Sequence, residues 1–340
     1  MINIEKLKKC HISDGHAPSL LPEGEWKLVW NDEFDGNELD RAKWDYRLNY
    51  WGQRSPTFTD KGVEVSGGSV KLYLQKDEDG VFRSPHLQTG EMAFDPPIGY
   101  GRWPVGKRAQ PKFMHSFGYY ECRCRLPKND GWHAAFWLQS PSIGTHPDAE
   151  TCGVECDIME NYLQRKPEGT KDVGSIICGN GYGGYGAESK WPGHFRHKLT
   201  ETEDGWHYFS CDWTEKGYWF YMDGDFVGFQ GTLTPEMEGD PRFLYSPVSR
   251  CRQFVLISTE CHGYHNPLRG IDPRGGLENA TFGAGFGSKS DSGITEEHAA
   301  AVKNPLNRGY VMNARPVPAL LDAVLPDCFE VDFVRVFDRI

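Results

Sequence analysis

The sequence contains no apolar run long enough to cross a membrane and no tract rich in lysine or arginine. A membrane-spanning helix needs ~18 to 20 apolar residues in succession, and no segment reaches that length. The chain has 37 basic and 48 acidic residues and a formal net charge of -11, whereas nucleic-acid-binding proteins concentrate positive charge on one surface. We therefore expect neither nucleic acid nor a membrane among its partners.

The first residues, MINIEKLKKCHISDG, lack the apolar centre of a signal peptide. Cys122, Cys124, Cys156, Cys178 and Cys211 lie in apolar, strand-like runs, where free thiols commonly pack as small core side chains. Their spacing does not match a zinc site of the CxxC type. As it stands, the sequence predicts reduced thiols and a cytoplasmic protein, or an extracellular or periplasmic one if a leader has been removed.

Long stretches of helix-forming residues are scarce, and turn-forming and aromatic residues are plentiful. The chain has 39 Gly, 22 Pro, 11 Trp, 15 Tyr and 19 Phe, a composition that favours strands and turns. Apolar and polar residues alternate in many short runs, and Asp223-Gly224 indicates a tight hairpin. These features predict an all-β fold, a β-sandwich of jelly-roll type that offers one curved sheet face as a cleft. The clearest runs cover residues 26–30, 63–65, 70–74, 118–126, 134–138, 206–213, 217–222, 254–258 and 329–337.

The sequence indicates one domain with two additions. Residues 1–25 are polar and contain proline, and we predict an N-terminal extension. Residues 26–340 show no linker between two cores and are predicted to form a single β-sandwich domain. From about 262 to 327 the alternation gives way to Gly, Asn, Pro and Ser, which indicates a long loop insertion with one short helix over residues 295–302.

The segment GVECDIMEN, residues 153–161, places three carboxylates in an otherwise apolar run. Successive residues of a helix are turned by ~100°, so the three acids would not share a helix face. On a regular strand Glu155 and Asp157 share one face and Glu160 lies on the other. A β-bulge at Ile158-Met159 would return Glu160 to the side of the other two acids, and bulges are common beside active sites. The sequence therefore requires a bulge if the three acids act together.

Carboxylates this close cannot all ionise freely, so their pKa values should separate. Such a separation suits a retaining glycosidase, which uses one ionised carboxylate as nucleophile and one carboxylic acid to protonate the leaving oxygen. Five residues of extended strand span ~16 to 17 Å, so the bulge must also shorten the strand to approach the ~5 to 5.5 Å between carboxyl groups in retaining enzymes. A Ca²⁺ site or a solvated acidic strand edge is the alternative.

The hexapeptide from Glu155 to Glu160, ECDIME, resembles the E-x-D-x-x-E signature of glycoside hydrolase family 16 in its bulged version. Other segments are similar to motifs of that family in the same order. The resemblance covers about residues 26–261 and 328–338. The matching segments are 30–35 (WNDEFD), 118–127 (GYYECRCRLP), 131–138 (GWHAAFWL), 206–208 with Trp213, 221–224 and 331–336.

This resemblance implies a concanavalin A-like jelly roll that hydrolyses internal β-glycosidic bonds with retention of configuration. Glu155 would be the nucleophile, Glu160 the general acid/base, and Asp157 the group that orients and tunes Glu155. Catalysis would need no cofactor. We expect a monomer that acts on a polysaccharide or its oligosaccharides, either a β-1,3-glucan or a β-galactan of the agar, carrageenan or porphyran type. A non-catalytic carbohydrate-binding sandwich and a transglycosylase are the alternatives.

Aromatic side chains that stack on sugar rings are expected along the cleft. Trp132 and Trp137 resemble family positions near the scissile bond, although Trp137 could equally be a core residue. Trp51 and Trp103 lie in polar loops, which offer little core to join. The expected substrate contacts are Trp132, Trp137, Trp51, Trp103, His133 and Glu260.

The family commonly carries a structural Ca²⁺ on the face away from the cleft. Glu33, Gly68 and Asp332 match the positions that resemble this site, and they offer oxygen atoms suited to a hard cation. The resemblance therefore implies a structural Ca²⁺ at these residues. Solvent-exposed acids without a metal are the alternative.

Overall fold

The computed structural model describes residues 4, 6–50, 53–54, 57–90, 97–98, 101–102, 111–143, 148–161, 164–165, 171–172, 175–182, 190–199, 202–261 and 318–340. Within these ranges the chain is mostly strand, with two short helices, α1 (Ala149–Cys152) and α2 (Pro318–Leu321). Neither helix is long and apolar enough to cross a membrane.

The strands follow one another in chain order as two groups. Those before the central part of the chain are β1 (Lys8–Cys10), β2 (Ser19–Leu21), β3 (Trp26–Asp32), β4 (Asp45–Tyr46), β5 (Asn49–Tyr50), β6 (Gln53–Arg54), β7 (Phe58–Thr59), β8 (Val63–Val65), β9 (Val70–Tyr73), β10 (Gln75–Lys76), β11 (Phe82–Gln88), β12 (Pro97–Ile98) and β13 (Gly101–Arg102). Those that follow are β14 (Gly118–Arg125), β15 (Trp132–Gln139), β16 (Val154–Asn161), β17 (Gln164–Arg165), β18 (Lys171–Asp172), β19 (Ser175–Tyr182), β20 (Phe195–Lys198), β21 (His207–Thr214), β22 (Gly217–Met222), β23 (Asp225–Gly231), β24 (Phe243–Tyr245), β25 (Phe254–Cys261) and β26 (Cys328–Arg339).

Two nine-stranded sheets make up most of the described structure. The front sheet has the order β10-β11-β25-β15-β16-β19-β20, with β4 and β7 also paired to β11. The back sheet has the order β24-β23-β22-β21-β14-β26-β9-β8, with β3 also paired to β26. Strands distant in sequence are neighbours in both sheets, because the chain crosses repeatedly from one sheet to the other. The prediction of an all-β sandwich is confirmed.

The main core lies between the two sheets and follows the alternation of the strands. Tyr120 and Cys122 of β14 in the back sheet meet Phe136 and Leu138 of β15 in the front sheet within one buried cluster. Burying a side chain of this size contributes roughly 1.5 to 3 kcal/mol. The opposite face of the front sheet, away from this core, is called the front face below.

All ten cysteines lie in the described ranges, and each is a free thiol. The five named from the sequence belong to the main core, as predicted. Burial raises the pKa values of Cys122, Cys156 and Cys178 well above the usual thiol value. These thiols are therefore protonated at neutral pH and pack as small apolar side chains.

The hairpin predicted at Asp223-Gly224 joins β22 to β23, which pair antiparallel. The φ angles of Asp223 and Gly224 are 51° and 87°, and positive values at both central residues are typical of a type I′ turn. β8 and β9 form a further antiparallel hairpin. The helix predicted over residues 295–302 and most of the 262–327 insertion lie outside the described residues.

The N-terminal extension is more ordered than its sequence suggested. β1 and β2 pair as an antiparallel hairpin, and the back sheet binds its carbonyl oxygens. Tyr119 donates to the oxygen of Leu20 at 2.5 Å, and Arg335 donates to that of Ala17 at 3.0 Å. Strands of three residues are too short for alternation to reveal them, so the sequence did not predict this hairpin.

Glu121 of β14 lies beneath this hairpin with 0% of its surface exposed. One carboxyl oxygen accepts a hydrogen bond from the backbone N–H of Leu20 at 2.7 Å. Burial raises the pKa of Glu121 from 4.5 to about 7, although hydrogen bonds from Ser19 and Leu20 oppose the shift. Between about pH 4.5 and 7, Glu121 is therefore protonated to a greater extent in the folded state than in the unfolded chain.

A folded-state pKa above the unfolded value stabilises the protein fully below about pH 4.5, and this contribution is lost as the pH rises through about 7. We expect Glu121→Gln, which cannot ionise, to leave stability near pH 4.5 unchanged. At pH 8 the variant should be more stable than wild type by up to ~3 kcal/mol. Urea unfolding of both proteins from pH 4.5 to 8 measures this difference, and parallel pH profiles would contradict the prediction.

Candidate active site

The acidic strand β16 contains the β-bulge that its sequence required. Phe136 and Trp137 are consecutive in β15, but their partners in β16 are Met159 and Asp157, so Ile158 is an extra residue. The pairing of β16 with β19 shows an irregularity at the same place. The predicted position of the bulge is confirmed.

The bulge divides the side chains of β16 between the two faces of the front sheet. Cys156, Ile158 and Met159 all belong to the core between the sheets. Ile158 and Met159 are consecutive and yet both point inward, because the bulge interrupts the alternation. Glu160 therefore lies on the front face.

Pairing with β15 places all three acids on that face. Glu155 is opposite Gln139, Asp157 is opposite Trp137, and Glu160 is opposite Ala135. Directly paired residues of antiparallel strands project to the same side. Ala135 and Trp137 pack in a cluster separate from the main core. Glu155 and Asp157 are 7% and 4% exposed, and Glu160 is half-buried.

Gln139 is the direct partner of Glu155 and was not predicted from the sequence. Its side-chain amide donates to Oε2 of Glu155 at 3.1 Å, and Gln139 itself is 0% exposed. A hydrogen bond to a carboxylate in so buried a place fixes its orientation and favours its ionised form. A polar residue in the same alternation as Trp137, at the end of an apolar strand, is the sequence signal that could have identified it.

Trp137 lies on the front face and not in the core between the sheets. Its indole N–H donates to Oγ of Ser258 at 2.9 Å, and the guanidinium of Arg47 lies 5.0 Å from its ring centre. The ring packs with Phe58 and Leu256. Trp137 therefore forms part of the front-face surface beside Asp157.

The prediction that Trp132 contacts substrate is wrong. Trp132 is 0% exposed and packs on the inner side with Leu74, Phe82 and Leu320. It begins β15 one residue before the front-face alternation of His133, Ala135 and Trp137, so its ring points inward. Its role is packing near α2.

His133 and Glu260 lie together on the front face. They are paired residues of β15 and β25, and Nε2 of His133 is 3.7 Å from Oε2 of Glu260. The structure thus places both predicted residues on the face that carries the acids. Trp51 and Trp103 lie outside the described residues.

Trp191 is an aromatic residue of the front face that the sequence did not single out. Gly181 of β19 is paired with Glu155, and a Cβ atom on Gly181 would lie 2.4 Å from the Trp191 ring. The glycine therefore allows the indole to lie directly on the strand beside Glu155. Trp191 is 38% exposed and packs against His194. An exposed indole in this place suits stacking on a sugar ring.

The three residues predicted to bind Ca²⁺ are brought together on the outer face of the back sheet, and His16 lies among them. The ring of His16 is 2.9 Å from Asp332 Oδ1, 3.9 Å from Glu33 Oε2 and 3.4 Å from where a Cβ of Gly68 would be. Within the described ranges, no group of three or more His, Cys, Asp or Glu side chains has the arrangement of a metal site.

The sequence profile described as glycosyl hydrolases family 16 matches residues 51–239. Glucan endo-1,3-beta-glucosidase A1 of Niallia circulans is 27% identical over 207 residues, which are 58% of this chain and 28% of that protein. Beta-porphyranase D of Zobellia galactanivorans is 31% identical over 150 residues, 43% of this chain and 33% of that protein. The chain therefore spans only about a third or less of either relative.

The crystal structure of the laminarinase catalytic domain from Thermotoga maritima superposes with a TM-score of 0.54 and 19% identity, covering 93% of this chain and 99% of that one. This likeness shows the jelly-roll fold. Since the family profile matches more than half of the 340 residues, the chain belongs to glycosyl hydrolase family 16.

Proposed function

We propose that this protein is a retaining, endo-acting glycoside hydrolase that cleaves internal β-glycosidic bonds of a polysaccharide. The observation that carries this proposal is the bulge at Ile158, which brings Glu155, Asp157 and Glu160 to one face of the front sheet. Membership of the family supports it. A sandwich that only binds carbohydrate needs aromatic surfaces but has no use for three carboxyl groups aligned by a bulge.

In the first step, Glu160 in its protonated form donates its proton to the glycosidic oxygen. The carboxylate of Glu155 attacks the anomeric carbon from the opposite side, and the bond to the leaving sugar breaks. The products are a free sugar chain and a glycosyl ester on Glu155. The ester has the inverted configuration at the anomeric carbon.

In the second step, the Glu160 carboxylate removes a proton from water, and the resulting oxygen attacks the same carbon. The ester bond to Glu155 breaks, and the second inversion restores the original configuration. Glu160 is protonated again and Glu155 is again a carboxylate. Each residue therefore returns to its starting state after one turnover.

The neighbours of Glu155 prepare it for attack. Gln139 donates to Oε2 of Glu155 at 3.1 Å, which holds the carboxylate in a fixed orientation. Asp157 lies two residues along on the same face, where we assign it to orient and tune Glu155. A fixed carboxylate loses less conformational freedom in the transition state than a mobile one.

For the substrate we propose a β-1,3-glucan or a β-galactan. The relatives named above are a glucan endo-1,3-beta-glucosidase and a beta-porphyranase. A β-1,3-glucan and a β-galactan differ in their sugar units and in their charge. Trp191 offers a stacking surface beside Glu155. The His133–Glu260 pair offers polar contacts two residues before Ala135 in β15, on the same face. These groups suit a chain of neutral sugar rings with hydroxyl groups at its edges.

The test is a panel of laminarin, lichenan, agarose, κ-carrageenan and porphyran, with products sized and linkages determined. We expect a rapid fall in polymer length for laminarin or for one of the galactans, and early release of oligosaccharides rather than single sugars. Proton NMR of the first products should show the β anomer before mutarotation. First products in the α configuration would contradict the retaining mechanism.

The same panel separates the alternatives. Retarded migration in affinity electrophoresis with no cleavage of any polymer would identify a carbohydrate-binding sandwich and overturn the proposal. Products longer than the added oligosaccharides, formed in preference to hydrolysis, would identify a transglycosylase.

A further inference from the structure

The ring of His16 is bound by acidic residues on both sides. Its Nδ1 lies 2.9 Å from Asp332 Oδ1, and its Nε2 lies 2.8 Å from Asp35 Oδ1. A carboxylate only accepts hydrogen bonds, so both ring nitrogens must donate and the ring is an imidazolium. Its side chain is only 4% exposed. His16 is therefore a buried cation held by two carboxylates.

The back sheet is shaped to receive this ring. Gly68, with φ +75°, has no side chain, and a Cβ there would lie 3.4 Å from His16 Cε1. In β26 the partners of Arg123 and Cys124 are Phe333 and Val331, so Asp332 is an extra residue in a bulge. This second bulge lets the Asp332 carboxylate project out of the sheet towards His16.

The surrounding charges are already balanced by protein groups. Arg335 donates to both oxygens of Glu33, and Arg123 donates to Oδ2 of Asp332 at 2.7 Å. Asn31 and Ser13 also bind the Glu33 carboxylate, each at 2.9 Å. Each of the three carboxylates around the ring thus has a cation beside it, and Arg123 also donates to Oδ2 of Asp204 at 3.0 Å. A divalent ion here would have to displace the ring and would add charge beside two guanidinium groups, so this donor set does not fit Ca²⁺.

We propose that His16 is a built-in cation that takes the place of a structural calcium ion on the back of this sandwich. The N-terminal hairpin positions His16, because this residue lies between β1 and β2 and the residues just after it are bound by the back sheet. Ala17 and Pro18 accept hydrogen bonds through their carbonyl oxygens from Arg335 and Tyr208, both at 3.0 Å. Stability at this place depends on the hairpin and not on a metal.

Thermal unfolding with and without calcium tests this proposal without reference to activity. Wild-type Tm should be the same within about 1 °C in CaCl₂ and in EDTA, because calcium raises the stability of a folded protein only if that protein has a site to bind it. His16→Ala should lower Tm by about 5 °C or more, because the two carboxylates lose their shared cation. The matched control is His11→Ala in the same hairpin, where the side chain is 65% exposed and lies 3.1 Å from Oδ1 of Asp14. That control should shift Tm by no more than about 1 °C.

A second variant, His16→Asp, replaces the cation with a further carboxylate. We expect its Tm to rise with added CaCl₂ and to fall in EDTA, unlike that of wild type. A calcium-dependent rise in the wild-type Tm that Asp332→Asn removes would overturn the proposal. Equal Tm losses in His16→Ala and His11→Ala would overturn it too. If neither His16 variant folds, the wild-type measurement in CaCl₂ and EDTA still decides the question.

Discussion

Replacing Glu155 by glutamine is expected to lower kcat on the cleaved polysaccharide by at least ~10³-fold, because an amide oxygen is a poor nucleophile for the anomeric carbon. The change keeps the size of the side chain and an acceptor for Gln139, so the fold should be unaffected. KM should change little, since the aromatic and polar contacts to the substrate remain. Initial rates from reducing-end release measure the effect. A Tm within about 2 °C of wild type serves as the control for folding.

Glu160→Ala should behave differently, which allows the two roles to be distinguished. Without the acid, polysaccharide cleavage should fall by ~10² to 10⁴-fold. An aryl glycoside with a good leaving group needs no protonation and should still form the ester on Glu155. Added azide should then attack that ester and give a product with the β configuration. In Glu155→Ala, azide should attack the substrate directly from the vacated side and give the α configuration.

The configurations of the two azide products are the decisive outcome. The reverse pattern would exchange the roles of Glu155 and Glu160. Full activity of Glu155→Gln on every polymer that wild type cleaves would remove β16 as the catalytic strand.

The second large effect is expected at Gln139, which holds Glu155 without being one of the acids. Gln139→Leu removes a buried hydrogen bond to a carboxylate, a loss of ~1.5 to 3 kcal/mol. We expect kcat/KM to fall about 10- to 100-fold. Because the lost bond favoured the ionised form of Glu155, the acidic limb of the kcat/KM pH profile should move to higher pH. Gln139→Glu should move it further, since two like charges would then be neighbours.

Gln253→Leu is the matched control for this effect. Gln253 is also fully buried, yet neither side-chain nitrogen nor oxygen has a hydrogen-bond partner in the described part of the chain. Its replacement should leave both kcat/KM and the pH profile unchanged. A fall in kcat/KM at Gln139 with an unmoved pH profile would assign Gln139 a purely structural role.

The front-face site illustrates how far local pattern reaches. Alternation in GVECDIMEN showed that Glu160 needs an extra residue before it, and the pairing with β15 places that residue at Ile158. Gln139 escaped prediction because its importance comes from the strand beside it. Trp191 escaped for a similar reason, since the glycine on which it lies is ten residues earlier in the sequence.

Trp132 was mispredicted because a motif gives the type of a residue and not the face it occupies. It shares the aromatic strand WHAAFWLQ with Trp137, but the alternation places the two on opposite faces. Because Trp132 and Trp137 are five residues apart, the alternation alone shows that only one of them can share a face with the acids. Only the observed pairing of β15 with β16 shows that Trp137, and not Trp132, lies on the front face.

The sequence by itself determined the all-β class, the buried free thiols, the hairpin at Asp223-Gly224 and the need for a bulge in the acidic strand. Each of these follows from the types and spacing of residues that are close together in the sequence. Only the tertiary structure decided that Gln139 binds Glu155 and that His16 lies between Asp35 and Asp332. Those contacts join segments up to 316 residues apart, and no local period encodes which distant strands become neighbours.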